Sequence, residues 1–153
     1  MKKLAAILDE LEKAIPFQDK QNTRISSATV GWHIEHSLLA LNKIIHAVSK
    51  SNPSGYKFNF NLGRILIFAL NRIPRGRGKA PQVVQPETFT TATLEAHIKI
   101  TRSALQKLKD LNHRHYFEHP FFGNLDVKAT IKFLLIHTRH HLGIIHDILR
   151  AEK

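Results

Sequence analysis

The stretch Phe133-Leu134-Leu135-Ile136-His137-Thr138-Arg139-His140-His141-Leu142-Gly143-Ile144-Ile145-His146-Asp147-Ile148-Leu149 repeats its apolar residues at helical spacing. At about 100° per residue, Ile131, Leu134, Thr138, Leu142, Ile145, Ile148 and Leu149 fall in one broad arc of a helical wheel. His137 and His141 lie inside that arc, one turn apart, while His140 points to the outer side. An imidazole inside an apolar arc needs a partner, because an unpaired buried polar group costs roughly 1–3 kcal/mol. Two stacked imidazoles meet that need either as hydrogen-bonded core histidines or as two ligands of one metal ion.

Outward from this helix the chain reads as helical almost throughout. Leu4, Ile7, Leu8, Leu11 and Ile15 form one face of a first helix that stops before Pro16, since the residue before proline is pushed out of the helical region. Ser26 or Ser27 can cap a second helix carrying Val30, Ile34, Leu38, Leu41, Ile45 and Val48, which Ser51-Asn52-Pro53-Ser54-Gly55 ends. Leu62, Ile65, Leu66, Ala69 and Ile73 suggest a short extra helix inside the next connection. A third long helix presents Leu94, Ile98, Thr101, Leu105 and Leu108. Residues 112–124 read as a loop, and Asn124 or Asp126 caps the last helix. The alternation Tyr56-Lys57-Phe58-Asn59-Phe60-Asn61 has no pairing partner and reads as connection. The fold expected is all-α: a four-helix bundle with a long crossover between the second and third long helices and no measurable sheet. One domain over residues 1–153 suits this length.

The chain has no cysteine, so disulfides, thiolate zinc sites and a cysteine nucleophile are excluded, and a metal must take His, Asp or Glu. The Met1-Lys2-Lys3-Leu4-Ala5-Ala6-Ile7-Leu8 start is broken by Asp9 and Glu10 before it makes a signal peptide, and no stretch has membrane-spanning length. A cytoplasmic protein without membrane partners is the expectation. The net charge of +11 attracts anions of any kind, and much of it lies on outer helix faces, as at Lys99, Arg102, Lys107 and Lys109. Its densest part is Arg72-Ile73-Pro74-Arg75-Gly76-Arg77-Gly78-Lys79, a basic connection that suits a phosphate or carboxylate but lacks the ending and context of a phosphate-binding P-loop.

A third histidine would complete an open metal site, because catalytic zinc commonly takes three protein ligands. Periodicity leaves His33 and His36 of the second helix both open, with His97 and His46 as further candidates.

The segment Thr29-Val30-Gly31-Trp32-His33-Ile34-Glu35-His36 resembles the second-helix motif of DinB-like proteins, in which a Ser/Thr-Val-Gly start precedes the first histidine ligand by seven residues. The His137-Thr138-Arg139-His140-His141 segment is similar to the His-x-x-x-His ligand pair of the same superfamily. His119-Pro120-Phe121-Phe122-Gly123-Asn124-Leu125 and the basic loop before Pro81 resemble a branch of it known as a domain of unknown function. Where that branch often has Gln after the histidine-leucine pair, this chain has Gly143-Ile144. The resemblance implies a helical bundle with a divalent metal, zinc, nickel or iron, on His36, His137 and His141. Trp32, His33, His119, Arg75 and Arg77 are then candidates to line the site. His119 has a second reading, as the anchor of a turn whose phenylalanines cap the core.

Some members of the superfamily are thiol-dependent transferases and others isomerases or hydrolases. The function expected from the resemblance is accordingly a metal-dependent transferase or hydrolase with an open coordination position, acting on a small molecule that is anionic or a low-molecular-weight thiol. Glu35 and Glu118 are weak candidates for a general base. A homodimer is compatible with this reading. Two other classes compete with it: a metal-binding bundle without catalysis, and a basic protein that binds nucleic acid non-specifically.

Overall fold

The computed structural model describes residues 1–76 and 81–151. Five α-helices and one hairpin occur among the described residues: α1 (Lys2–Ala14), α2 (Val30–Lys50), α3 (Leu62–Leu70), α4 (Thr91–Lys107), β1 (Tyr116–His119), β2 (Gly123–Asp126) and α5 (Val127–Arg150). The structure is mostly helical, as the apolar periodicity predicts.

Local chemistry sets the helix boundaries. α1 gives way to a short 3-10 turn over Ile15–Phe17 that holds Pro16. α2 starts at Thr29, whose hydroxyl accepts the Trp32 N–H at 3.2 Å; the cap is therefore Thr29, not Ser26 or Ser27. Ser26 is engaged elsewhere, with its Oγ 2.9 Å from His33 Nε2. Thr90 and Thr93 form a reciprocal capping box on α4, and Asp126 caps α5 by accepting the Ala129 N–H at 2.7 Å.

The four long helices share one core. α2 packs on α4 and α5, and α1 packs on the same two helices. Leu8 and Leu11 of α1, Ile34, Leu38 and Leu41 of α2, Leu94 and Ile98 of α4, and Leu134, Ile145 and Ile148 of α5 are fully buried. Each such side chain stabilises the fold by about 1.5–3 kcal/mol relative to exposure. Thr101 and Thr138, polar residues in apolar stripes, are buried without an orphaned hydroxyl: each donates at 2.8 Å to the carbonyl four residues earlier, of His97 and Leu134.

Two parts of the chain depart from the sequence reading. Residues 112–124 are not all loop: β1 and β2 pair antiparallel, with Tyr116 opposite Asp126 and His119 opposite Gly123. Each strand has only four residues, too few for a two-residue period to show against the helical background. The turn closes because Gly123 sits at φ +67° and His119 Nδ1 accepts the N–H groups of Phe121 and Phe122 at 3.1 and 3.2 Å.

The second departure is α3, which turns its apolar side outward. Leu62 is 72% exposed and Leu66 59%, whereas Arg64 is 8% exposed. The Arg64 guanidinium donates to the carbonyls of Asn59, Phe122 and Asn124, tying α3 to the hairpin. Three carbonyl acceptors satisfy the buried cation, and that requirement decides which side of α3 faces in.

Candidate metal centre

Position and spacing put four histidines where α2 meets α5. His33 and His36 are one position short of a full turn apart on α2, and His137 and His141 are one turn apart on α5. Gly31 lets the covering chain reach this end of α2: a Cβ there would lie 2.3 Å from the Phe89 ring, so only glycine accepts that contact. His33, His36 and His141 are 4%, 3% and 8% exposed. His137 is partly exposed as a residue, yet its Nδ1 is enclosed and has no hydrogen-bond partner.

Each of His36, His137 and His141 offers a ring nitrogen to one point, the three atoms lying within 4.8 Å of one another. His36 donates from Nδ1 to the Val84 carbonyl at 2.7 Å, which leaves the lone pair on Nε2. That Nε2 lies 3.3 Å from His137 Nε2. Two nitrogens each bonded to zinc at about 2.0–2.1 Å and separated by a tetrahedral angle stand about 3.3 Å apart, so the pair fits a shared ion. His33 is close but oriented differently: its Nδ1 faces His141 Nδ1 at 3.0 Å, and its Nε2 faces Ser26 Oγ.

Burial holds these rings neutral, the state a metal ligand needs. It lowers the pKa of His137 to about 3, helped by the proximity of His36 and His140, and that of His33 to about 4, helped by His36. Burial likewise pushes His36 down, against the pull of the Val84 carbonyl, and takes His141 well below the ordinary range, aided by His137 and His36. The facing Nε2 atoms of His36 and His137 are compatible with a shared cation, while His137 Nδ1, on the other edge of its ring, is enclosed without a hydrogen-bond partner.

The remaining sequence candidates separate by position. Trp32 stacks on His36, with ring centroids 4.9 Å apart and planes within 7°, and meets His33 edge-on. His119 stacks on Phe122 and abuts Phe133, which in turn contacts His137, so His119 stands one ring away from the cluster as the anchor of its turn. Arg75 forms an ion pair with Asp147 at 2.7 Å on another side of α5. Arg77 lies outside the described residues. His140 contacts the His141 ring and also reaches the backbone of Ile73, so residues 71–75 cover it. Glu35 is held by His97 at 2.9 Å between α2 and α4, and Glu118 is exposed on β1. His46 is not in the cluster.

Sequence reasoning did not find the Val84 carbonyl, the Ser26 contact or the Phe133 wall. Val84 acts through a backbone atom and leaves no side-chain signature, and Ser26 carries equally well the signature of a helix cap. No helix among the described residues is long and apolar enough to cross a membrane.

A helical protein whose two central helices bring three neutral histidines to one point is the class defined by this fold and site. The chain belongs to the DinB superfamily, whose family model matches residues 3–145. No curated protein and no solved structure matches it in the corresponding comparisons.

Proposed function

We propose that His36, His137 and His141 hold one divalent ion and leave a coordination position open for a small substrate. The observation that carries this reading is the convergence of three ring nitrogens within 4.8 Å, on two helices, with His36 and His137 at the separation of two ligands of one ion. The surrounding arrangement is read as a four-helix bundle of α1, α2, α4 and α5 with its crossover between α2 and α4. An imidazole set of this kind suits zinc, nickel or iron.

When bound, such an ion supplies Lewis acidity that makes water or a thiol a nucleophile near neutral pH. The chain's own residues do the positioning. Val84 fixes the tautomer of His36, Trp32 holds its ring plane, and Phe133 and Trp32 keep the cluster in an apolar surrounding. The activity that fits best is a metal-dependent transferase or hydrolase acting on a small molecule, with a low-molecular-weight thiol or water as nucleophile. A metal-binding protein without catalysis is the second reading, favoured by the engagement of Glu35 with His97, which removes the carboxylate nearest in sequence to the cluster.

Metal analysis of the purified protein tests the site. One equivalent of divalent ion is expected, lost in His36→Ala, His137→Ala and His141→Ala and retained in His140→Ala. Thiol or a small anion is expected to perturb the visible spectrum of a cobalt-substituted sample. Full retention by the His36 and His141 variants overturns the proposal, leaving these residues as core histidines.

A further inference from the structure

Beside the histidine cluster, a concavity of about 170 Å³ lies between α5 and the chain that leaves α3. Ile136, Arg139, His140 and Gly143 line it from α5, and Arg72 and Arg75 line it from the opposite wall. These four α5 residues recur at helical spacing, so they form one stripe next to the stripe that carries His137 and His141. The two sites share a helix but not a side chain.

The chemistry of the lining is one-sided. Three guanidiniums and an imidazole surround the space, and the nearby carboxylate, Asp147, is taken by Arg75 at 2.7 Å. That ion pair anchors residues 71–75 to α5 and fixes the second wall. Among the described residues no carboxylate pairs with Arg72 or Arg139. Elsewhere on the surface, Arg102 is matched by Asp9 and Glu12. The floor is bare because position 143 is glycine: a Cβ there would stand 3.6 Å from Arg75 Nη2, at ordinary contact distance, and any longer side chain would grow toward the cavity.

We infer that this concavity is a binding site for an oxyanion group, a phosphate or carboxylate carried by a small molecule, with Arg72 and Arg139 as the principal donors. Guanidinium forks match the geometry of both groups and bind them through paired charge-assisted hydrogen bonds. Arg75 serves as the strut that holds the wall in place. An anion seated here lies against the face of α5 adjoining the histidine cluster, where it would orient the remainder of its molecule. This site is separate from the proposed metal ligands and requires no ion on them.

Titration of the metal-free protein with inorganic phosphate, and separately with acetate, followed by amide chemical shifts, is the test. Saturable shifts confined to residues 71–75 and 136–143 are expected. Arg72→Gln and Arg139→Gln are each expected to weaken binding at least ten-fold. Gly143→Leu should do so as well without removing a charge, while Lys99→Gln and Lys107→Gln on α4 leave it unchanged. Preference between the two probes identifies which oxyanion the site is built for. Non-saturating shifts, or equal losses in the α4 variants, would show only the general attraction of a chain of charge +11 and overturn the site. Shifts centred on His36 and His141 would place the anion at the histidine cluster and overturn it equally. Because the sample holds no metal, failure here leaves the three-histidine proposal untouched.

Discussion

His33 Nδ1 stands 3.0 Å from His141 Nδ1, joining α2 to α5 through two buried imidazoles. Only one of the two nitrogens can carry the proton. If His141 donates, its Nε2 lone pair is free, and His33 then carries its proton on Nε2 and donates to Ser26 Oγ at 2.9 Å. If His33 donates instead, His141 must hold its proton on Nε2 and has no lone pair to offer. The first arrangement is the one in which His141 serves as a ligand, and Ser26 Oγ supports it by offering His33 Nε2–H an acceptor.

His33 is therefore expected to act as a positioning residue for the proposed metal site. His33→Ala should lower metal affinity by about 10–100-fold, the usual effect of losing a group that orients a ligand. Ser26→Ala should produce a smaller loss in the same direction. Competition titration with a chromophoric chelator measures both, with helical content by circular dichroism as the folding control. Unchanged affinity in a folded His33→Ala protein would refute this role.

Arg64 fastens α3 to the hairpin through three backbone carbonyls. Arg64→Met retains much of the apolar stem but removes every donor, and is expected to cost about 2–3 kcal/mol by leaving those acceptors poorly paired. Urea unfolding measures the loss, and hydrogen exchange should report faster opening of residues 62–70. A loss below about 0.5 kcal/mol, the usual range of a surface substitution, would contradict the clamp.

At Gly123 two requirements coincide. Its φ of +67° disfavours any residue with a Cβ, and a Cβ would meet the Asn59 side chain at 2.1 Å. Asn59 in turn accepts the Asn124 N–H at 2.9 Å and donates to the Phe122 carbonyl at 3.2 Å. Gly123→Ala is expected to destabilise the protein by about 2 kcal/mol or more, from backbone strain together with displacement of Asn59. Thermal or urea unfolding decides it; wild-type stability would show that the hairpin tip relaxes freely.

Acid should weaken the fold in part through His119, alongside the buried histidines of the cluster, whose pKa values burial also lowers. Burial against Phe122 and Phe133 lowers the His119 pKa to about 4, against about 6.5 in an unfolded chain. Between those values the unfolded chain binds more protons, so the contribution is fully present above pH 6.5 and is lost as pH falls toward 4. His119→Asn, whose amide oxygen can replace Nδ1 as acceptor of the Phe121 and Phe122 N–H groups, should flatten the fall in urea midpoint between pH 7 and pH 5. An identical slope in the variant would rule His119 out as its source.

The sequence by itself determined the helices and the histidines worth watching. Stripes such as Leu94, Ile98, Thr101 and Leu105 are local consequences of a 3.6-residue repeat, and Pro16 and Asp126 end or begin helices through their own backbone and side-chain chemistry. The spacing of His137 and His141 is local in the same way. Spacing could not choose between His33 and His36, two residues of one helix, and the motif resemblance singled out His36. Only the tertiary structure gives the two different surroundings, Val84 and His137 around one ring, Ser26 and His141 around the other. Tertiary structure likewise decided the inward turn of Arg64, the pairing of two four-residue strands and the cation-lined cavity at Gly143. The surroundings of His36, the tie from Arg64 to the Phe122 carbonyl and the cavity wall facing Gly143 depend on partners 48 or more residues away, which no local period encodes, whereas the hairpin pairs residues 4 to 10 apart in strands too short to show a period.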